Sequence, residues 1–384
     1  STMDSKRDVS KFIDNMKLGR LSRRDFHKGL ASVGLATMIS PVLPRTALAK
    51  PEDHPTMFTW SGYEDPNMYQ PYIKKYGEEI NFSLWGDEEE AEAKMRAGFH
   101  PDVGMPCSYK VKKWTDLGFL KPIDTSRLSH WGDVIGSLKT VPDMMIDGNQ
   151  MMVTGWWGLT SVTFRTDIAP EYIPEEMHSW GILWDPKYAG RLSMIDSLID
   201  GVMVAAIYSG AKDPFNMTDD EVEKVRMLMR EQRPLLRFYT NSTTDWEQGL
   251  ASGEVVAAAS WNGTPTRLAK QEGLEVMFMK PKEGAMTWTC GMVMFSFVTP
   301  EKEERAYEVI DSLLSPETGQ FMIEDFGYGH SNQKAFDRVS EDDLAQRGLP
   351  KTNISAYIKS GIFQATIQNE PQLQEMYEEV KAGL

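Results

Sequence analysis

The sequence is short of cysteine, histidine and basic charge. Only two of its 384 residues are cysteines, Cys107 and Cys290, and they form no C-x-x-C pair. That excludes a thiolate metal cluster and a disulfide-built scaffold. The six histidines are scattered, with no H-x-x-x-H or H-E-x-x-H spacing, so no metal site is expected. There is no G-x-S-x-G elbow, no Walker phosphate loop and no G-x-G-x-x-G turn after a strand. Catalytic residues and a cofactor are therefore not expected, and the competing idea of an exported cofactor-dependent enzyme lacks its signature. Lys and Arg number 41 against 56 Asp and Glu, a net charge of −15. That field excludes nucleic acid as a partner and suits a cationic or zwitterionic ligand. After residue 49 no run of eighteen apolar residues occurs, so no membrane span is expected.

What is present begins with the N-terminus. "LSRRDFHKGLASVGLATMISPVLPRTALAK" places Arg23 and Arg24 ahead of Phe26 and Lys28, then a weakly apolar run from Gly29 to Ile39, then Ala47-Leu48-Ala49. This order reads as a twin-arginine export signal over 1–49, cleaved after Ala49 and removed in the bacterial periplasm. The structural alternative is an amphipathic helix. Residues 1–49 hold nine Lys/Arg and four Asp/Glu, so the remainder carries a net −20.

Beyond the signal, short strands alternate with helices. "MFTW", "INFSLW" and "PDVGMP" read as strands, separated by "NMYQPYIKKYG" and "DEEEAEAKMRAG" as helices. Acids crowd the first turn of the latter, where the helix dipole favours them. A second block follows: "RLSMID", "VVAAASWN", "LEVMFMKP" and "MVMFSFVT" as strands. Its helices include one opened by the capping box Thr218-x-x-Glu221. The pattern predicts an α/β protein with a mostly parallel sheet in two lobes. Ligands in such folds bind beyond the carboxyl ends of strands, here in the cleft between lobes. Aromatic residues gather at these strand ends and turns: Trp60, Tyr63, Tyr109, Trp156, Trp157, Trp261, Trp288 and Tyr328. Their faces attract cations, each contact worth about 0.5–2 kcal/mol when desolvated.

An ordered series of segments carries a resemblance. "TWSGYEDP", "DVGMPCSYKV", "LGFLKPID", "WWGLTSV", "SWGILWDPKYAGRLSMID", "SGEVVAAASWNG", "KPKEGAMTW" and "FGYGHSN" span nearly the whole chain after the signal. In this order and spacing the chain resembles the periplasmic solute-binding proteins of spermidine/putrescine (polyamine) ABC importers. The resemblance implies a type II periplasmic-binding fold, with 50–154 and 290–336 in lobe 1 and 155–289 and 337–384 in lobe 2. It implies a monomer that captures a polyamine-like organic cation and delivers it to a membrane ABC permease. Carried over residue by residue, the site would comprise Trp60, Tyr63, Cys107, Tyr109, Trp157, Ser197, Asp200, Trp261, Trp288, Cys290, Tyr328 and Gln364. Aromatics would sandwich the ligand's methylenes and carboxylates clamp its ammonium groups.

Three positions depart from that pattern. Cys290 stands where the family has an acid two residues after the Trp, Ser197 takes an acid position beside Asp196 and Asp200, and Cys107 replaces a small hydroxyl. An aromatic wall with fewer carboxylates also suits a quaternary ammonium or a betaine-like zwitterion. Under the resemblance both cysteines face the cleft side of one lobe. A disulfide, two small buried thiols and a ligand contact all remain open for them.

Overall fold

The computed structural model describes residues 54–77 and 80–384; the export signal expected at 1–49 lies outside the described residues. The strands are β1 (Thr56–Trp60), β2 (Asn81–Trp85), β3 (Val103–Gly104), β4 (Leu120–Lys121), β5 (Met145–Ile146), β6 (Asn149–Gln150) and β7 (Val153–Arg165). They continue with β8 (Leu192–Ile195), β9 (Leu236–Thr240), β10 (Ala257–Trp261), β11 (Val276–Phe278), β12 (Met286–Phe295), β13 (Gly329–His330) and β14 (Ile362–Phe363). The main sheet runs β2-β1-β3-β12-β7-β10-β8-β9. Its flanks are parallel, as the alternating sequence predicts: β2-β1-β3 on one side and β10-β8-β9 on the other. Its centre is not. There β7 and β12 pair antiparallel, Met286 opposite Thr160 through Cys290 opposite Trp156, with a bulge before Gly291.

Two hydrophobic cores flank this pair. One gathers β1–β3, most of β12 and the helix Pro300–Leu313; the other gathers β8, β10, the helix Met203–Ser209 and the C-terminal helix Glu370–Ala382. The cores exchange along the same two strands. In β7, Trp156 and Trp157 belong to the first core and Val162 and Phe164 to the second; in β12, Met286 belongs to the second and Trp288 onward to the first. The return to lobe 2 expected at residue 337 comes later. Val339, Leu344, Leu349, Ile354 and Ile358 pack into the first core, and contacts with the second resume at Ile362. The reason is Trp157, which draws Phe336 and Tyr357 onto its ring with centroids 6.4 and 5.9 Å away.

Local signals act where the sequence places them. The Thr218 hydroxyl accepts from the Glu221 amide while the Glu221 carboxylate accepts from the Thr218 amide, and Val222, Val225 and Met229 form the buried stripe of the helix Asp219–Gln232. Asp87 caps the helix Glu88–Arg96 by accepting from the Glu90 amide at 2.7 Å.

Of the three possibilities open for the cysteines, the structure holds the disulfide. Cys107 and Cys290 are bonded across 183 residues of sequence, with Cα atoms 3.8 Å apart. The neighbouring backbones join as well, the Gly291 amide donating to the Pro106 carbonyl at 3.1 Å. A loop of this length removes about 5 kcal/mol of chain entropy from the unfolded state in the simplest account. Denatured without reductant, the protein should present no thiol to a thiol reagent, and two after reduction; its unfolding midpoint should fall markedly once reduced.

Candidate functional site

Each lobe contributes a wall. In the first, Trp60 ends β1; its indole N–H donates to the Met105 carbonyl at 2.9 Å and its ring meets the Trp85 edge at 5.7 Å. Tyr63 follows in the turn, where its ring meets Trp156 and Phe326 edge-on at 5.4 and 5.3 Å. Past β3 the cystine fixes the loop that carries Tyr109. The Tyr109 hydroxyl donates to Glu88 at 2.7 Å, and the Cys107 amide donates to the other Glu88 oxygen at 3.2 Å.

In the second lobe, the Ser197 hydroxyl caps the turn Leu198–Val202 by accepting from the Asp200 amide at 3.0 Å. This cap turns the Asp200 side chain back onto β7. There Oδ1 accepts from the Thr160 hydroxyl at 2.8 Å and from the Gln364 amide at 3.4 Å. Trp261 ends β10 edge-on to Trp246 at 5.1 Å, and it packs against both cores. Between the walls, Trp288 on β12 lies across Gly158 of β7; any side chain at 158 would collide with its indole. The Tyr328 ring meets Trp288 edge-on at 4.8 Å.

The predicted residues therefore fall into connected groups: Trp60 and Tyr63 near Trp156 and Phe326, Trp288 with Tyr328, Tyr109 on Glu88, and Asp200 with Gln364 near Trp261. One placement needs correction. Trp157 is fully buried on the other face of β7, its indole donating to the His330 carbonyl at 3.0 Å. Strand alternation puts its neighbour Trp156 against Tyr63 instead. Cys107 and Cys290, for which the disulfide is one of the possibilities the sequence leaves open, stand in the site region as a cystine. Residues that sequence reasoning passed over are Glu88, Thr160 and Phe326; Trp156 is noted there as an aromatic but not carried into the site. Glu88 was visible only as one of three acids opening a helix.

The lobes meet over this set. Lys110, beside Tyr109, pairs with Glu89 of its own lobe at 2.6 Å and with Glu370 of the C-terminal helix at 3.1 Å. Thr366 donates its amide and hydroxyl to Asp143 at 2.9 and 2.7 Å. Two surface hollows of about 400 and 370 Å³ lie elsewhere and contain none of the predicted residues.

Burial sets the electrostatics. It pushes Glu88 up to about 7, against the pull of the Tyr109 hydroxyl and Lys110. It pushes Asp200 up to about 6, against its hydrogen bonds from Thr160 and Trp261. Burial also raises Tyr63 and Tyr109 well above the usual phenol range, so both stay neutral donors. Among the described residues neither Glu88 nor Asp200 forms an ion pair. Such a site can receive positive charge.

The Asp200 carboxyl titrates higher in the fold than in the unfolded chain. Its ionisation therefore costs stability, a cost absent below pH ~4 and complete above about 6. Asp200→Asn should stabilise the unliganded protein by on the order of 2 kcal/mol at pH 8. That gain should vanish by pH ~4, as read from denaturant unfolding at both pH values.

Residues 67–347 match the family of bacterial extracellular solute-binding proteins. The chain is 25% identical over 348 residues to the spermidine/putrescine-binding periplasmic protein of Escherichia coli K12, covering 87% of this chain and 94% of that one. It is 26% identical over 351 residues to spermidine/putrescine-binding periplasmic protein 1 of Haemophilus influenzae, covering 88% and 91%. Among solved structures, a putative spermidine/putrescine ABC transporter protein from Listeria monocytogenes superposes with a TM-score of 0.72 at 17% identity, over 86% of this chain and 98% of that one, and shares the two-lobed type II fold. This chain belongs to the bacterial extracellular solute-binding protein family.

Proposed function

We propose that the protein is the substrate-binding component of an ABC importer and that its ligand is a small organic polycation of the putrescine or spermidine class. The observation that carries this reading is Asp200: a carboxylate only 7% exposed, held by neutral donors, and without an ion pair among the described residues. It lies beside the aromatic Trp261. A buried acid with no counter-ion is costly unless a ligand supplies one. The polyamine-binding relatives and the acidic net charge of the chain support the same conclusion.

In this reading Trp60, Tyr63, Trp288 and Tyr328 line the methylene chain, with Tyr109 and Trp261 closing from the two sides. Gln364 and the Ser197 cap hold Asp200 in place, and the cystine forms a fixed edge. The protein works as a monomer outside the cytoplasmic membrane. It hands its cargo to a membrane permease, and the segment 1–49 directs it through the twin-arginine route with cleavage after Ala49. The second reading, a quaternary ammonium or betaine, draws on one observation: the cystine leaves the Trp288–Tyr328 corner without an acid at position 290.

Isothermal titration with putrescine, spermidine, choline and glycine betaine separates the two. Putrescine or spermidine should bind at least tenfold more tightly than choline or betaine; the reverse order would replace the first reading by the second. Trp288→Ala should weaken amine binding by about 1–3 kcal/mol through lost stacking and cation–π contact. Unchanged affinity in that variant would take Trp288 out of the site.

A further inference from the structure

Glu88 is a buried acid that the fold alone does not explain. It opens the helix Glu88–Arg96 and is 1% exposed. One oxygen accepts from the Tyr109 hydroxyl at 2.7 Å and the other from the Cys107 amide at 3.2 Å. A carboxylate offers about four acceptor positions, so roughly half of its capacity is unused. The nearby lysine does not pair with it. Lys110 Nζ is held by Glu89 at 2.6 Å and by Glu370 at 3.1 Å. Asp200 in the opposite lobe stands in the same condition, buried and bonded to neutral donors alone. Tyr109 links the two. Its hydroxyl is on Glu88, its ring packs against the second core, and its phenol feels the charge of Asp200.

We propose that Glu88 is a second carboxylate anchor of the ligand site, taking one ammonium group of a linear diamine or polyamine while Asp200 takes another across the lobe junction. This rests on the organic-cation reading above and narrows it to ligands with two separated positive charges. A monocation can neutralise only one of the two acids. A betaine would, in addition, bring a carboxylate of its own toward the other. Either ligand leaves a buried charge unpaired, and that penalty is the basis of discrimination. Glu88 also stands at the N-terminus of its helix, where partial positive charge favours a carboxylate.

Titrating wild type and Glu88→Gln with putrescine and with butylamine tests this. Glutamine keeps the size of the side chain and an oxygen that accepts from Tyr109. Putrescine affinity should fall about 10- to 100-fold in the variant, the effect of one lost charge-assisted hydrogen bond. Butylamine, which can still use Asp200, should change less than about threefold. Equal losses for both amines would make Glu88 a positioning residue for the Tyr109 loop. Unchanged putrescine affinity would remove it from the site. Either outcome overturns the proposal while leaving the proposed function standing. A wild type that binds neither amine overturns both.

Should the variant misfold, proton release by the wild type decides. The groups facing Glu88 are Tyr109, Lys110 and Glu89, with Asp200 beyond the Tyr109 ring. With Glu88 up near 7, putrescine binding at pH 7 should expel about half a proton, read as a dependence of the binding heat on the ionisation enthalpy of the buffer. Heat independent of the buffer overturns the proposal.

Discussion

The antiparallel pairing of β7 with β12 is the constraint on which the other features of the molecule depend. Both strands are buried along nearly their whole length, and each passes from one core into the other. Their register decides which side chains face the junction. It sets Trp288 over Gly158, Cys290 opposite Trp156, and Met286 opposite Thr160, the partner of Asp200. A slip of one residue would turn Trp156 away from Tyr63 and bring Trp157 in its place. The bulge before Gly291, where β12 already lies in the first core, is where the strand meets the loop of Cys107. Two continuous strands make a stiff connection that bends rather than slides, which suits lobes that open and close around a fixed set of contacts.

Much of this was legible in the sequence, for identifiable reasons. Strand and helix alternation, the Thr218 cap and the acids opening Glu88–Arg96 are local signals, and they act locally. The expectation of aromatics at strand ends holds for Trp60 and Trp261, which end β1 and β10. The choice between Trp156 and Trp157 was not available. The sequence pattern assigns "GWWGLT" to no element, and it lies within a thirteen-residue strand whose alternation separates the two indoles. The late return of the chain to the second core depends on Trp157 collecting Phe336 and Tyr357, a contact far apart in sequence. Glu88 was hidden for the opposite reason. Its neighbours Glu89 and Glu90 are exposed acids, and nothing local marks which of the three turns inward.

The charge of the chain thus has two parts with different physics. Many acids pair with lysines and arginines on or near the surface, where water and salt weaken the pairs. Glu88 and Asp200 are buried and make no direct ion pair among the described residues, although the charge of Lys110 reaches Glu88. The unliganded fold bears their desolvation, and under the proposed function a cationic ligand would relieve it. Under that proposal, stability without ligand and affinity for ligand would be opposed at these two positions.

The cystine changes the topology of the chain as well as its stability. Joining Cys107 to Cys290 closes a ring that contains all of β7 to β11, and with them most of the second lobe. The remainder forms two tails. Such a chain is a lasso, and even when unfolded it cannot pass through a pore sized for a single extended strand unless two strands enter abreast. A machine that threads unfolded chains must move this protein before the bond forms. A machine that carries folded cargo faces no such order, because the ring is then only one more contact inside a finished structure.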